Sequence, residues 1–240
     1  MFRHQGKSRT FIHNLRLATL LSLVAGIVNI TGVLALHTLT TNVTGHFAFF
    51  AEEFIKKDYT TAITFLLFTL CFLLGSFLAN TVVEIVSIRN SRLAHVLPIA
   101  IEIIILTYVG VFFNNATIFS LNGKVQAFLL LFSMGIQNSL VTKVSDSTVR
   151  TTHLTGLFTD LGIELSQLFF YRKPEQQKKL KNNIYLRFFI ISFFFIGCVL
   201  GGIVFTYLKI QTLFIASIIL LVALFYDYIR LQFFVIKRKV

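Results

Sequence analysis

Charge is scarce in this chain. Only 13% of its 240 residues are Asp, Glu, Lys or Arg, whereas 55% are hydrophobic. Mean hydropathy is +0.79, so little of the sequence can face water and the chain reads as an integral membrane protein. Cysteine is scarce too: Cys71 and Cys198 both lie inside apolar runs, without partners at ligand spacing. That argues against a disulfide framework and against a metal site. Catalytic signatures are missing altogether, with no nucleophile elbow, Walker loop, dinucleotide glycine pattern or H-E-x-x-H. No enzyme activity, cofactor or metal is therefore expected. Acids are outnumbered by bases, ten to 22, for a net charge of +12. Such an excess can serve nucleic acid, but here the bases lie in loops and tails between apolar stretches. The partner they point to is the lipid bilayer surface, and no nucleic acid is expected.

What is present is a series of apolar stretches close to the ~20 residues that cross a bilayer. They are Leu17 to Leu36, Thr61 to Val83, Val96 to Phe113, Val125 to Val141, Phe188 to Tyr207 and Gln211 to Ile229. The first is longer than a signal-peptide core and is interrupted by Gly26, Asn29 and Thr31, so it reads as a retained helix. Glu102 lies in the third. An acid at mid-helix costs roughly 3 kcal/mol to insert, and each Leu, Ile, Val or Phe returns about 0.3 to 0.6. Val96 to Phe113 holds twelve such residues, so the segment still inserts. With six spans and both termini cytoplasmic, eighteen of the 22 Lys and Arg fall inside; with eight crossings, seventeen do. Charge thus fixes the termini and leaves six and eight crossings open.

The chain also nearly repeats itself. T-T-N-V-T-G-H-F at Thr40 to Phe47 returns as T-T-H-L-T-G-L-F at Thr151 to Phe158, and each copy follows a span with a G-I-x-N step, Gly26 to Asn29 and Gly135 to Asn138. A third pair aligns Leu73 to Leu78 with Val199 to Val204. The expected fold is all-α and polytopic: about six transmembrane helices plus two broken or re-entrant helices, in two internal, inverted repeats. One membrane domain covers 1–240, with repeat one at about 15–113, repeat two at about 125–230, and a basic connector at 171–187 inside the second.

Both T-T-x-x-T-G segments open with hydroxyl-bearing residues, pass through Gly and then turn apolar. From Thr44 the first has twelve residues, or ~18 Å of helix, too short for a ~30 Å core. Broken backbone at that depth survives where it is buried in protein or lines a wet cavity. Two helix N-termini brought together across a pseudo-two-fold axis would aim free N–H groups and positive dipole ends at one point, a setting for an anion or carboxylate. The candidate lining is Thr41, Asn42, Thr44, Gly45, Thr152, His153, Thr155 and Gly156, with Asn29, Gln137 and Asn138 from the preceding spans. Glu102 is the candidate coupling or structural acid.

Plainer roles stand beside these. T-x-x-T-G serves equally as a cap and tight turn, the broken segments as interfacial helices, the amides as interhelical glue, and Glu102 as a paired or snorkelling acid. The expected function is a transporter or channel for a small anionic solute. The rival is a scaffold that packs a homo-oligomer or a partner helix through Gly75 with Ala79 and Gly197 with Gly201, and a weaker one is a lipid-acting enzyme.

In the order Gly26-x-x-Asn29, T-x-x-T-G, Gly135-x-Gln137-Asn138, T-x-x-T-G, the chain resembles the YoaK family of uncharacterised bacterial inner-membrane proteins, over roughly residues 15 to 230. The resemblance implies a multi-span protein of a bacterial inner membrane and carries no activity over. The family commonly has an acid where this chain has Asn29, and often Asn where it has His46. The missing carboxylate at position 29 weakens any role for that position in binding a coupling cation.

Overall fold

The computed structural model describes residues 10–90, 94–112, 121–145 and 149–236. Phe113 and several bases of the charge pattern, among them Arg3, Lys7, Arg9, Arg92 and Lys237 to Lys239, lie outside them. Every regular element among the described residues is helical: α1 (Phe11–Leu36), α2 (Val43–Ile55), α3 (Tyr59–Asn90), α4 (Val96–Phe112), α5 (Leu121–Val144), α6 (Leu154–Gln167), α7 (Pro174–Leu208) and α8 (Leu213–Ile236). Helix is what a spanning chain must form, because in hydrocarbon its N–H and C=O groups have only each other. Both prolines fall in first turns, Pro98 in α4 and Pro174 at the start of α7, where the missing N–H would have had no intrahelical partner.

Four helical stretches are long and apolar enough to cross a membrane: Phe11–Leu36, Tyr59–Ile88, Leu121–Val144 and the 53-residue run Pro174–Tyr226. Val96–Phe112 is apolar but shorter. The long run holds all of one expected span, Phe188 to Tyr207, and most of another, Gln211 to Ile229, and a 3-10 turn at Lys209–Thr212 divides it. Lys209, at φ 50° and ψ −133°, cannot continue a right-handed helix. Of the broken segments, α2 has 13 residues and α6 has 14. At 1.5 Å per residue each is about 20 Å long, short of the ~30 Å core. The basic connector expected at 171–187 is mostly not a loop: from Pro174 onward it is the first part of α7, continuous with the apolar run behind it.

Two helix crossings organise the core. In the first, α1 meets α7 with Gly26 against Gly197. A Cβ on Gly26 would lie 2.2 Å from the Phe194 carbonyl oxygen, and one on Gly197 would lie 2.3 Å from that of Leu23. In the second, α3 meets α5 with Gly75 against Gly135, and added Cβ atoms would each lie 2.1 Å from the carbonyl oxygens of Phe132 and Phe72. In both, the residue after the α3 or α7 glycine donates to the carbonyl of the opposing glycine: Ser76 Oγ to Gly135 at 3.0 Å, and Cys198 Sγ to Gly26 at 3.4 Å.

These crossings occupy the faces assigned above to a homo-oligomer. Gly197 and Gly201 pack on α1, Gly75 packs on α5, and Ala79 is buried. Small residues let backbones approach closely, and the closest backbones available are the chain's own. Around the crossings lies a core that includes Leu17, Leu21, Val24, Leu130, Met134, Ile190, Leu213 and Leu220.

Candidate functional site

The first T-G segment is held by local bonds. His37 adopts a left-handed conformation, φ 51°, and turns the chain back so that Thr40 lies against Gly32, whose absent Cβ would come within 2.5 Å of the threonine methyl. Thr41 Oγ1 then donates to Asn29 Oδ1 at 3.0 Å. Asn42 Oδ1 accepts the Gly45 N–H at 3.1 Å, so an asparagine, not a threonine, caps α2. Asn42 and Thr44 are exposed. The buried residue is His46: its Nε2–H donates to the Leu39 carbonyl at 2.8 Å, and its ring sits 6.0 Å from Phe65 and 5.3 Å from Phe68. His46 thereby pins α2 to α3. At the far end of α2, Lys56 bonds both Glu52 and Glu53 at the exposed edge. Asp58 accepts from the Thr61 hydroxyl and N–H, bonds that hold its carboxyl below its ordinary range.

The second segment differs. His153 precedes α6 but makes no side-chain capping bond, and its ring lies over Gly156, where a Cβ would come within 2.6 Å of it. Beside this helix start is a cavity of about 290 Å³ lined by Arg150, His153, Gly156, Leu157, Asp160, Asn183, Leu186 and Arg187. Arg187 is neutralised within it: its guanidinium donates to both Glu164 oxygens at 2.7 and 2.9 Å and pairs with Asp160 at 3.0 Å. Arg150 has no ion pair among the described residues, which makes it the cavity's free cation.

Thr155 is exposed, as are Thr159, Gly162 and Ser166 on the same stripe. These hydroxyl residues do not line the cavity, because the inward face of α6 belongs to Leu157 and Glu164, the only residues of that helix that are buried. A carboxylate chelating an arginine outweighs a row of hydroxyls that can bond their own backbone, as Thr159 does to the Thr155 carbonyl. Thr152 is half-buried and is not part of the lining. The two T-G starts do not share this cavity: α2 packs on α3, α6 packs on α7, and no residue of Thr40 to Gly45 lines it.

A second polar locus is internal. Gln137 Nε2 donates to the Leu21 carbonyl at 2.8 Å, joining α5 to α1, while Gln137 Oε1 is buried without a partner. Asn138 Oδ1, Gln126 Nε2, Ser133 Oγ and Ser22 Oγ are likewise buried and unpaired, as are the hydroxyls of the equivalent Thr40 and Thr151. Glu102 is 0% exposed and neither carboxyl oxygen has a partner, so it neither pairs nor snorkels. A buried group left unsatisfied costs about 1–3 kcal/mol and a charged one more, which makes this many a costly set for structure alone. Among the described residues no three His, Cys, Asp or Glu side chains converge as a metal site.

Sequence reasoning missed Arg150, Asn183 and Arg187, which sat in stretches read as connectors. The available signal was on α6: Asp160 and Glu164 stand one turn apart on an otherwise largely apolar helix, and such a pair calls for a base.

A family model described as protein of unknown function (DUF1275) matches residues 17–226. The UPF0700 transmembrane protein YoaK of Bacillus subtilis (strain 168) is 27% identical over 186 residues, covering 77% of this chain and 80% of that protein. No solved structure matches the chain.

Proposed function

The chain belongs to the DUF1275 family and is a transmembrane protein similar to YoaK; from that premise we propose that it is a transporter or channel for a small anionic solute. The observation that carries this reading is the cavity at the start of α6, where Arg150, which has no ion pair among the described residues, Asn183 and the α6 residue Gly156 line one space of about 290 Å³ beside a helix start that has no side-chain cap. A helix start with free N–H groups and a cation beside it favours a carboxylate, a phosphate or a similar anion. The anion binds at the second T-G segment. The first is closed by the Asn42 cap and serves to hold α2 in place.

The architecture supports transport. In this reading the halves are inverted repeats of three crossings and one re-entrant helix each, with both termini cytoplasmic in a bacterial inner membrane. Exchanging α1 with α5 and α3 with α7 carries one glycine crossing onto the other, atom pair for atom pair. The equivalent of Gly75 is then Gly197, one turn before the Gly201 that the sequence alignment pairs with it. Broken helices between inverted repeats form the substrate sites of many transporters.

The test is the thermal stability of purified protein in detergent with phosphate, acetate and longer carboxylates, against neutral solutes and cations. A ligand at 100 times its Kd adds about 2.7 kcal/mol. One anion class is expected to raise Tm, and Arg150→Gln to abolish the rise. No shift with any anion, or an undiminished shift in the variant, would overturn the assignment.

A further inference from the structure

We propose that Glu102 is a proton-binding site of the membrane core: a neutral carboxyl that releases and regains its proton through hydrogen-bonding groups on α5. The proposal stands apart from the anion cavity, which shares no residue with it.

Its surroundings carry the argument. α4 packs on α5 and α8, and more lightly on α3 and the 3-10 turn. Thr107 bonds Ser217 and Gly110 abuts Phe214, so α4 and α8 run antiparallel and Glu102 falls level with the part of α8 that holds the buried Leu220 and Ala223. On α4 itself its inward neighbours are Ile99, Leu106 and Val109. No described base reaches it from these elements. Lys143 of α5 is bonded to Glu84 of α3 at the exposed surface, Lys209 lies over Phe205, and Lys124 is in the first turn of α5. Among residues whose side chains are described, the remaining titratable groups are Tyr108 on α4, Cys71 and Tyr59 on α3, Tyr226 on α8, and His95, buried just ahead of α4. With no cation at hand, the carboxyl is stable only with its proton on.

On α5, one of the helices that α4 packs against, Gln126, Ser133 and Gln137 fall within about 40° of one another, all buried and each with an atom lacking a partner, and Ser22 adds another on α1 next to the residue that Gln137 bonds. Unpaired donors and acceptors in file are the groups that ordered water needs in order to enter a core, and a file of waters conducts protons.

The experiment uses the full-length protein in detergent. A carboxylic acid adds across an apolar carbodiimide, its proton passing to one nitrogen and its oxygen bonding the central carbon; the adduct rearranges to an N-acylurea with nothing expelled. Dicyclohexylcarbodiimide is expected to label Glu102 in peptide mass maps, while a charged, water-soluble carbodiimide labels the exposed Glu52 and Glu84 and leaves Glu102 unmodified. The Glu102 label is lost in Glu102→Gln. In infrared spectra the protonated C=O band of the wild type is expected to shift on transfer to D2O and to be missing from the variant. Should Glu102→Gln fail to fold, the wild-type map and isotope shift decide alone. Glu102 left unlabelled by the apolar reagent, or a band that stays put in D2O, would overturn the proposal. Failure of anions to stabilise the protein would leave these results unchanged, so the two readings fall separately.

Discussion

At the scale of single residues, the polar side chains divide into those already satisfied and those left open. Asn42 belongs to the first group, since its one bond to the Gly45 N–H closes α2. Asn42→Ala is expected to lower stability by about 1 kcal/mol in thermal melts, with the response to anions unchanged. Gln137 is mixed, with one bond to the Leu21 carbonyl and one orphan oxygen. Gln137→Leu removes both, so its cost should stay near the ~0.6 kcal/mol average for polar contacts inside membranes. In the first segment the sequence marked out polar residues but not the bonds they make. Asn29, Thr41 and Asn42 were singled out by type and spacing, and two of the three now bond each other. Thr155 misled, because a threonine beside a glycine reads the same whether it faces a cavity or the outside. The choice was made by Glu164 nine residues later, through an arginine on another helix.

At the scale of elements, α6 is tied down at few points. Leu157 and the Glu164–Arg187 pair are its buried contacts with the rest of the protein. Charged hydrogen bonds of this kind contribute about 1.5–3 kcal/mol. Glu164→Gln is therefore expected to speed hydrogen exchange across α6 while α5 stays protected. Arg187→Lys should do the same, because an ammonium cannot replace the two-pronged contact. Equal exchange in both variants and wild type would show that α6 is held by something else. The shortness of α2 and α6 was readable from their apolar runs. The start of α7 was not: residues 172–187 are rich in Lys, Gln and Asn, a composition that suits a solvated loop and a solvated helix alike. Only continuity with the apolar run behind it makes it helical.

At the scale of the whole molecule, four glycines at two crossings hold the two halves against each other. Alanine normally favours a helix over glycine by about 1 kcal/mol, but here its methyl would meet a backbone carbonyl oxygen, and overpacking costs about 1–3 kcal/mol. Gly26→Ala and Gly135→Ala are expected to lower Tm by similar amounts, as equivalent positions should. A rise in either would mean that the crossing is looser than described. The near-repeat of the T-G segments is visible in the sequence, and Gly26 and Gly135 take corresponding places in the two crossings. In the proposed repeat arrangement the third landmark shifts by a turn, since an apolar run with glycines spaced four apart, as at Gly197 and Gly201, matches Gly75 equally well in either register. The chemical identity of the proposed solute was not legible, and its assignment as an anion rests on Arg150 in the cavity.

Uptake of labelled anions into liposomes containing the purified protein tests the central claim most directly. The account predicts saturable uptake of the anion class that raises Tm, lost in Arg150→Gln although that variant folds. A folded wild-type protein that binds an anion and moves none across the bilayer would contradict it.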